Sequence, residues 1–127
     1  MGKKKILVVD DDKDLMRGIA IRLRANGYDT AFATDAIMAV SVAKNEQPDL
    51  IILDIGLPAG SGFVVMERLA DLMSMAAIPI IILSARDPAV WKERSLEAGA
   101  RAFFQKPADD KELLAVVREI LSEEEKE

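Results

Sequence analysis

The chain has 127 residues, half of them hydrophobic, and a formal net charge of −5, which fits one domain with a real core and argues against direct nucleic-acid binding. It contains neither cysteine nor histidine, so disulfides, thiol or imidazole catalysis and zinc sites built on those ligands are excluded. No apolar run reaches the roughly 18 residues of a membrane span, and the Lys3-Lys4-Lys5 start lacks the long apolar region of a secretory signal; a cytoplasmic protein with no membrane association is expected.

Residues 6–9 form an unbroken apolar run that ends in Asp10, Asp11 and Asp12, the pattern of a parallel strand buried on both faces. Over 13–25, Leu15, Met16, Ile19, Ala20 and Leu23 make one apolar stripe at helical spacing, closed by Asn26-Gly27. A weaker strand falls near 29–33. Thr34 or Asp35 caps a helix near 35–45, with Pro48 beyond its end. Residues 50–53 form the next strand, ending in Asp54. Phe63, Met66, Leu69, Leu72 and Met73 predict a third helix after Ser61-Gly62. Residues 80–83 follow Pro79, which is tolerated at a strand start. Asp87-Pro88 opens a fourth helix that Gly99 closes, and a second weak strand falls near 101–105. Asp109 or Asp110 caps the last helix, whose buried face is Leu113, Leu114, Val117, Ile120 and Leu121. Residues 1–122 form the domain; the acidic segment 123–127 reads as a frayed helix end or short tail.

Alternating strands and helices give a parallel sheet covered on both faces, and right-handed crossovers leave few topologies. The expected fold is α/β: a doubly wound, flavodoxin-like, three-layer domain with five parallel strands in the order 2-1-3-4-5.

The polar residues sit at the carboxyl ends of the strands, where open α/β sheets bind ligands. Asp10 and Asp11 follow the first strand, Asp54 the third, Ser84 the fourth and Lys106 the fifth. In the order 2-1-3-4-5 the third strand lies between the first and the fourth, and neighbouring strands are about 4.8 Å apart. Lys106 is two strands from Asp54, roughly 10 Å at the backbone, a gap only a long side chain crosses. Clustered carboxylates repel one another, and a cation relieves them. Oxygen ligands without histidine or cysteine select Mg²⁺ or Mn²⁺, and few protein ligands favour Mg²⁺ over Ca²⁺. Asp54 can attack phosphorus to form an acyl phosphate, with the metal and Lys106 neutralising the phosphoryl oxygens and Ser84 hydrogen-bonding one of them. The plainer roles are helix capping for Asp12, Asp14 and Ser84, and a solvated loop lysine for Lys106.

These residues and their neighbours resemble the receiver domain of bacterial two-component response regulators over nearly the whole chain. The matching pieces are Ile6 to Asp12, Leu53-Asp54-Ile55-Gly56-Leu57-Pro58 with Gly62, Leu83-Ser84-Ala85, Glu97-Ala98-Gly99-Ala100 and Gln105-Lys106-Pro107. The strand order above is also that of a chemotaxis member of this family, so the two expectations are not independent. The resemblance implies a phosphoacceptor signalling switch rather than an enzyme acting on outside substrates. Asp54 would be phosphorylated by a phosphohistidine of a sensor histidine kinase or phosphotransfer protein. Mg²⁺ would be held by Asp10, Asp11, Asp54 and the backbone carbonyl of Gly56. Ser84 and Lys106 look like the family's phosphoryl-stabilising hydroxyl and lysine, and the Lys106–Pro107 bond like one that is cis. Phe103 resembles the aromatic that turns inward when Ser84 moves toward the phosphoryl group; plain core packing is its other reading. A downstream protein or a fused output domain would use the face of the fourth helix, fifth strand and fifth helix, where Trp91 is either exposed or packed on the rim. A monomer or a phosphorylation-dependent homodimer fits.

Three other functions bear comparison. Asp10 and Asp12 have the spacing of haloacid-dehalogenase-like phosphohydrolases, but the residue expected after the second Asp and a cap domain are missing. A phosphorylation-independent interaction module of the same shape would be expected to lose the acidic pair, the acceptor or the lysine, and all are present. Flavin binding lacks a phosphate-binding loop after the first strand. Departures from the family pattern are Ser61 where an acid is common, Gly56 two residues after Asp54 and Arg86 two after Ser84. Gly56 leaves the site open to water, whereas Arg86 can shield or pair with the phosphoryl group. Arg86→Ala is therefore expected to alter the dephosphorylation rate; an unchanged acyl-phosphate lifetime would count against that role.

Overall fold

The computed structural model describes residues 2–58 and 60–125, with side chains to Glu124. The elements in chain order are β1 (Lys5–Val9), α1 (Lys13–Ala25), β2 (Asp29–Ala33), α2 (Ala36–Glu46), β3 (Leu50–Leu53), α3 (Gly62–Ala70), β4 (Ile80–Ser84), α4 (Pro88–Glu97), β5 (Ala102–Gln105) and α5 (Asp110–Glu125). All strand pairs are parallel, in the order β2-β1-β3-β4-β5. The expected fold is the observed one.

Strand side chains alternate between two apolar layers, as the pleat requires. Leu7, Val9, Ile51, Leu53 and Ile82 pack on the face covered by α2 and α3. Ile6, Val8, Leu50, Ile52, Ile81 and Leu83 pack on the opposite face, against α1 and α5. This double burial is why the central strands read as unbroken apolar runs.

Aspartates open most of the helices. Asp12, Asp35 and Asp87 accept hydrogen bonds from the amides of Leu15, Met38 and Ala89, and Asp109 accepts from Lys111 and Glu112. Gly27 and Gly99 take positive φ just beyond α1 and α4, a conformation glycine adopts without strain. Gln47, a non-glycine residue, does so after α2.

One expectation fails. α3 ends at Ala70, short of Leu72 and Met73. The chain turns after Asp71, so the helical stripe stops there; Met73 is 98% exposed, and Met75 instead fills the core at 1%. At the other end of the chain α5 runs on to Glu125, so residues 123–125 are helical. Arg101 binds Glu123 and Glu124 at 2.7 and 3.0 Å, anchoring that acidic end to the start of β5. Residues 126 and 127 of the expected tail lie outside the described residues.

The register aligns the strand tips. Val9 pairs with Leu53, and Leu53 with Ile82, so Asp10 and Asp54 extend the sheet side by side and Ser84 lies one step further out. Gly62 opens α3 directly beneath this edge. A Cβ there would stand 2.5 Å from the Asp54 carbonyl oxygen and 3.0 Å from Ile55 Cα, both backbone atoms. Gly62→Ala is therefore expected to lower stability by about 1–3 kcal/mol, read as a shifted denaturant midpoint; wild-type stability would mean that the backbone yields freely.

Candidate functional site

The backbone ladder continues past the strands into the site. The Asp10 amide donates to Ala33 O at 3.1 Å, that of Asp54 to Val9 O at 3.0 Å, and that of Lys106 to Ser84 O at 2.8 Å. Each candidate side chain thus starts from a fixed point on the sheet. Asp10, Asp54 and Ser84 are buried, whereas Asp11 and Gly56 are exposed.

Asp10, Asp11 and Asp54 each offer a carboxylate oxygen, all within 4.8 Å of one another. The Lys106 ammonium crosses from β5 into this group and stands 2.7 Å from Asp10 Oδ2 and 3.2 Å from Asp54 Oδ2. Sequence spacing had related Lys106 to Asp54 alone; here it bridges two carboxylates. The Asp12 amide donates to Asp10 Oδ1 at 2.9 Å, and the Gly56 amide to Asp54 Oδ1 at 3.1 Å. Burial pushes the Asp10 carboxyl above its ordinary range, against the opposing pull of Lys106 and the Asp12 amide. For Lys106, burial works to lower its value, but the hydrogen bond to Asp10 and the charges of Asp54 and Asp10 outweigh it, so the ammonium is held more tightly than usual.

Ser84 Oγ accepts from the Arg86 amide at 3.1 Å. Asp87, not Ser84, caps α4, which removes the plainer reading of this buried hydroxyl. Asp12 does cap α1. The Lys106–Pro107 peptide is cis. Phe103 is partly buried and packs with the layer under α2 and α3.

A further group went unread in the sequence. Arg86 lies over Trp91, and Arg94 over both Trp91 and Phe63, with guanidinium-to-ring distances of 5.2, 4.9 and 5.3 Å. The Phe63 and Trp91 rings are 6.1 Å apart. Trp91 is therefore packed on a rim between α3 and α4. Two aromatics and two arginines distributed over three segments give no periodic signal.

Fold and site together define an open α/β domain with an acidic cluster where the strand order reverses, the usual ligand position in such sheets. The sequence model of the response regulator receiver domain matches residues 6–118, and the chain belongs to that family. It is 38% identical over 117 residues to the DNA-binding dual master transcriptional regulator RpaA of Synechocystis sp., covering 92% of this chain and 48% of that protein. It is 39% identical over 118 residues to the alkaline phosphatase synthesis transcriptional regulatory protein PhoP of Bacillus subtilis, covering 93% and 48%. The chain thus spans about half the length of these curated relatives. Among solved structures, a CheY-like receiver domain protein from Methanospirillum hungatei superposes with a TM-score of 0.90 at 30% identity, covering 98% of both chains. The non-phosphorylated HemR receiver domain of Leptospira biflexa gives 0.84 at 31%, covering 94% of this chain and 95% of that one.

Lys106 is the counter-charge that keeps two buried carboxylates together. Lys106→Met leaves them facing each other unpaired, and a loss of about 1–3 kcal/mol is expected at neutral pH. Because the Asp10 carboxyl is already raised, the folded state binds its proton more tightly than the unfolded chain does. Without Lys106 the Asp10 carboxyl rises further, so the loss is full above the variant's Asp10 value and shrinks as the pH falls from there through the wild-type value, where protonation removes the unpaired charge. Urea unfolding at neutral and acid pH checks this; an equal loss at both would contradict it.

Proposed function

We propose that the chain is a phosphoacceptor switch in which Asp54 takes a phosphoryl group from a phosphohistidine on a sensor histidine kinase or phosphotransfer protein. The observation that carries this reading is the convergence of Asp10, Asp11, Asp54 and Lys106 at the tips of three strands of a receiver fold.

Mg²⁺ fits the donor set. Three carboxylate oxygens converge within 4.8 Å, all are hard ligands, and the positive charge now among them is the Lys106 ammonium. Asp10, Asp11, Asp54 and the Gly56 carbonyl would hold the ion, with Mn²⁺ as a substitute. When bound, it supplies positive charge to the oxygens of the transferred group.

In the transfer, a carboxylate oxygen of Asp54 forms a bond to phosphorus while the P–N bond to the donor imidazole breaks, and that electron pair stays on the ring nitrogen. Asp54 is oriented beforehand by the Gly56 amide and Lys106, so little rearrangement precedes attack. Lys106 offers its ammonium to the developing negative charge, and Ser84 its hydroxyl to a phosphoryl oxygen. The product carries about −1.5 to −2 charges where one carboxylate stood. That added charge biases Ser84 and Phe103 toward a second arrangement.

The downstream partner or fused output domain is assigned to the α4–β5–α5 face, in a monomer or a phosphorylation-dependent homodimer. Relatives twice as long that regulate transcription support a fused output domain as one form of this signalling. None of the described helices is long and apolar enough to cross a membrane, in keeping with a cytoplasmic site of action.

Incubation with acetyl phosphate and Mg²⁺, followed by intact mass measurement, tests the reading. A single phosphate adduct is expected in the wild type and none in Asp54→Ala. An adduct that persists in the variant, or fails to form in the wild type, would overturn it.

A further inference from the structure

Resting on the phosphoacceptor reading, we propose that Arg86 is a second anion-binding residue of the site: its guanidinium leaves Trp91 for a phosphoryl oxygen on Asp54, and so carries the charge state of Asp54 to α4.

Arg86 and Asp54 line the same gap. A Cβ placed on Gly56 would lie 3.6 Å from Arg86 Nη2 and 3.9 Å from Asp54 Oδ1. Because residue 56 is glycine, no side chain separates the two groups. Arg86 is exposed, and among the described residues neither it nor Arg94 is in an ion pair. Its contact is the face of Trp91, 5.2 Å from the ring centre.

That contact helps to seat α4. Ser95 is the one fully buried residue of this helix, and its hydroxyl donates back to the Trp91 carbonyl oxygen at 2.8 Å. α4 therefore lacks the broad apolar stripe that holds α1 and α5. Its aromatic anchor, Trp91, is contacted by two guanidinium groups and by Phe63.

An exposed cation–π contact is weak. A charge-assisted hydrogen bond from a guanidinium to a phosphoryl oxygen is stronger, and the planar fork of arginine suits it. Phosphorylation adds negative charge beside the shared gap, so the preferred partner of Arg86 changes. Trp91 then keeps Arg94 but loses Arg86, and the seat of α4 differs between the two charge states. A differential contact of this kind is what a two-state switch requires.

Trp91 is the only tryptophan in the chain, so its emission reports the contact directly. Wild type, Arg86→Gln and Arg94→Gln are each treated with acetyl phosphate and Mg²⁺, with the Asp54 adduct followed by intact mass in the same samples. The expected result is an emission change on phosphorylation that is lost in Arg86→Gln and kept in Arg94→Gln. In parallel, the Arg86 Nε–H resonance of the wild type should shift on phosphorylation while that of Arg94 stays in place. If the wild type gains no adduct, the phosphoacceptor reading itself fails and the proposal falls with it. With the adduct present, an emission change that survives in Arg86→Gln, an equal loss in Arg94→Gln, or an unmoved Arg86 resonance overturns the proposal alone.

Discussion

Three carboxylates share a small space at the sheet edge with a single ammonium group. Asp10, Asp11 and Asp54 bring oxygens within 4.8 Å of one another, and Lys106 reaches two of them. Asp10 and Asp54 are buried, where water cannot fully screen them and an uncompensated charge is costly. The raised Asp10 carboxyl is the direct mark of that cost. A site with excess negative charge and converging oxygens is suited to a divalent cation, and with it to the anionic phosphoryl group that cation helps to neutralise.

The rest of the domain serves to hold these groups in place. The residue pairing of β1, β3 and β4 sets Asp10 and Asp54 level with Ser84 one step beyond, and backbone hydrogen bonds carry the ladder past the strand ends. Gly62 lets α3 begin against the Asp54 carbonyl with no side chain between. A slip of one residue in any of these strands would turn its tip toward the wrong face. Both faces of these strands are apolar, so such a slip would trade one buried row for the other; its cost at the site is that it would carry the carboxylate at that tip off the shared edge.

Much of this was legible in the sequence. Unbroken apolar runs reveal strands buried on both faces, and the aspartates at the helix starts reveal where helices begin. The strand order then brings Asp10, Asp54 and Ser84 together without further information. What remained hidden depends on side-chain reach and on irregular backbone. Leu72 and Met73 continue the spacing of α3 but lie past its end, where the turn after Asp71 hands the core position to Met75. The bridging of Asp10 by Lys106 depends on the conformation of one long chain. The Arg86–Trp91–Arg94–Phe63 stack joins residues with no common period. The contacts of Glu123 and Glu124 at the end of α5 are with Arg101, more than 20 residues away in sequence.

The claim on which everything else depends is that this acidic cluster binds a divalent ion. Calorimetric titration of Mg²⁺ into the wild type and into Asp11→Asn tests it most directly, because Asp11 is exposed and its replacement leaves the buried charges in place. The expected result is one saturable site in the wild type, with affinity reduced about tenfold or more in the variant. Equal affinity in the two proteins, or no binding by either, would contradict the claim.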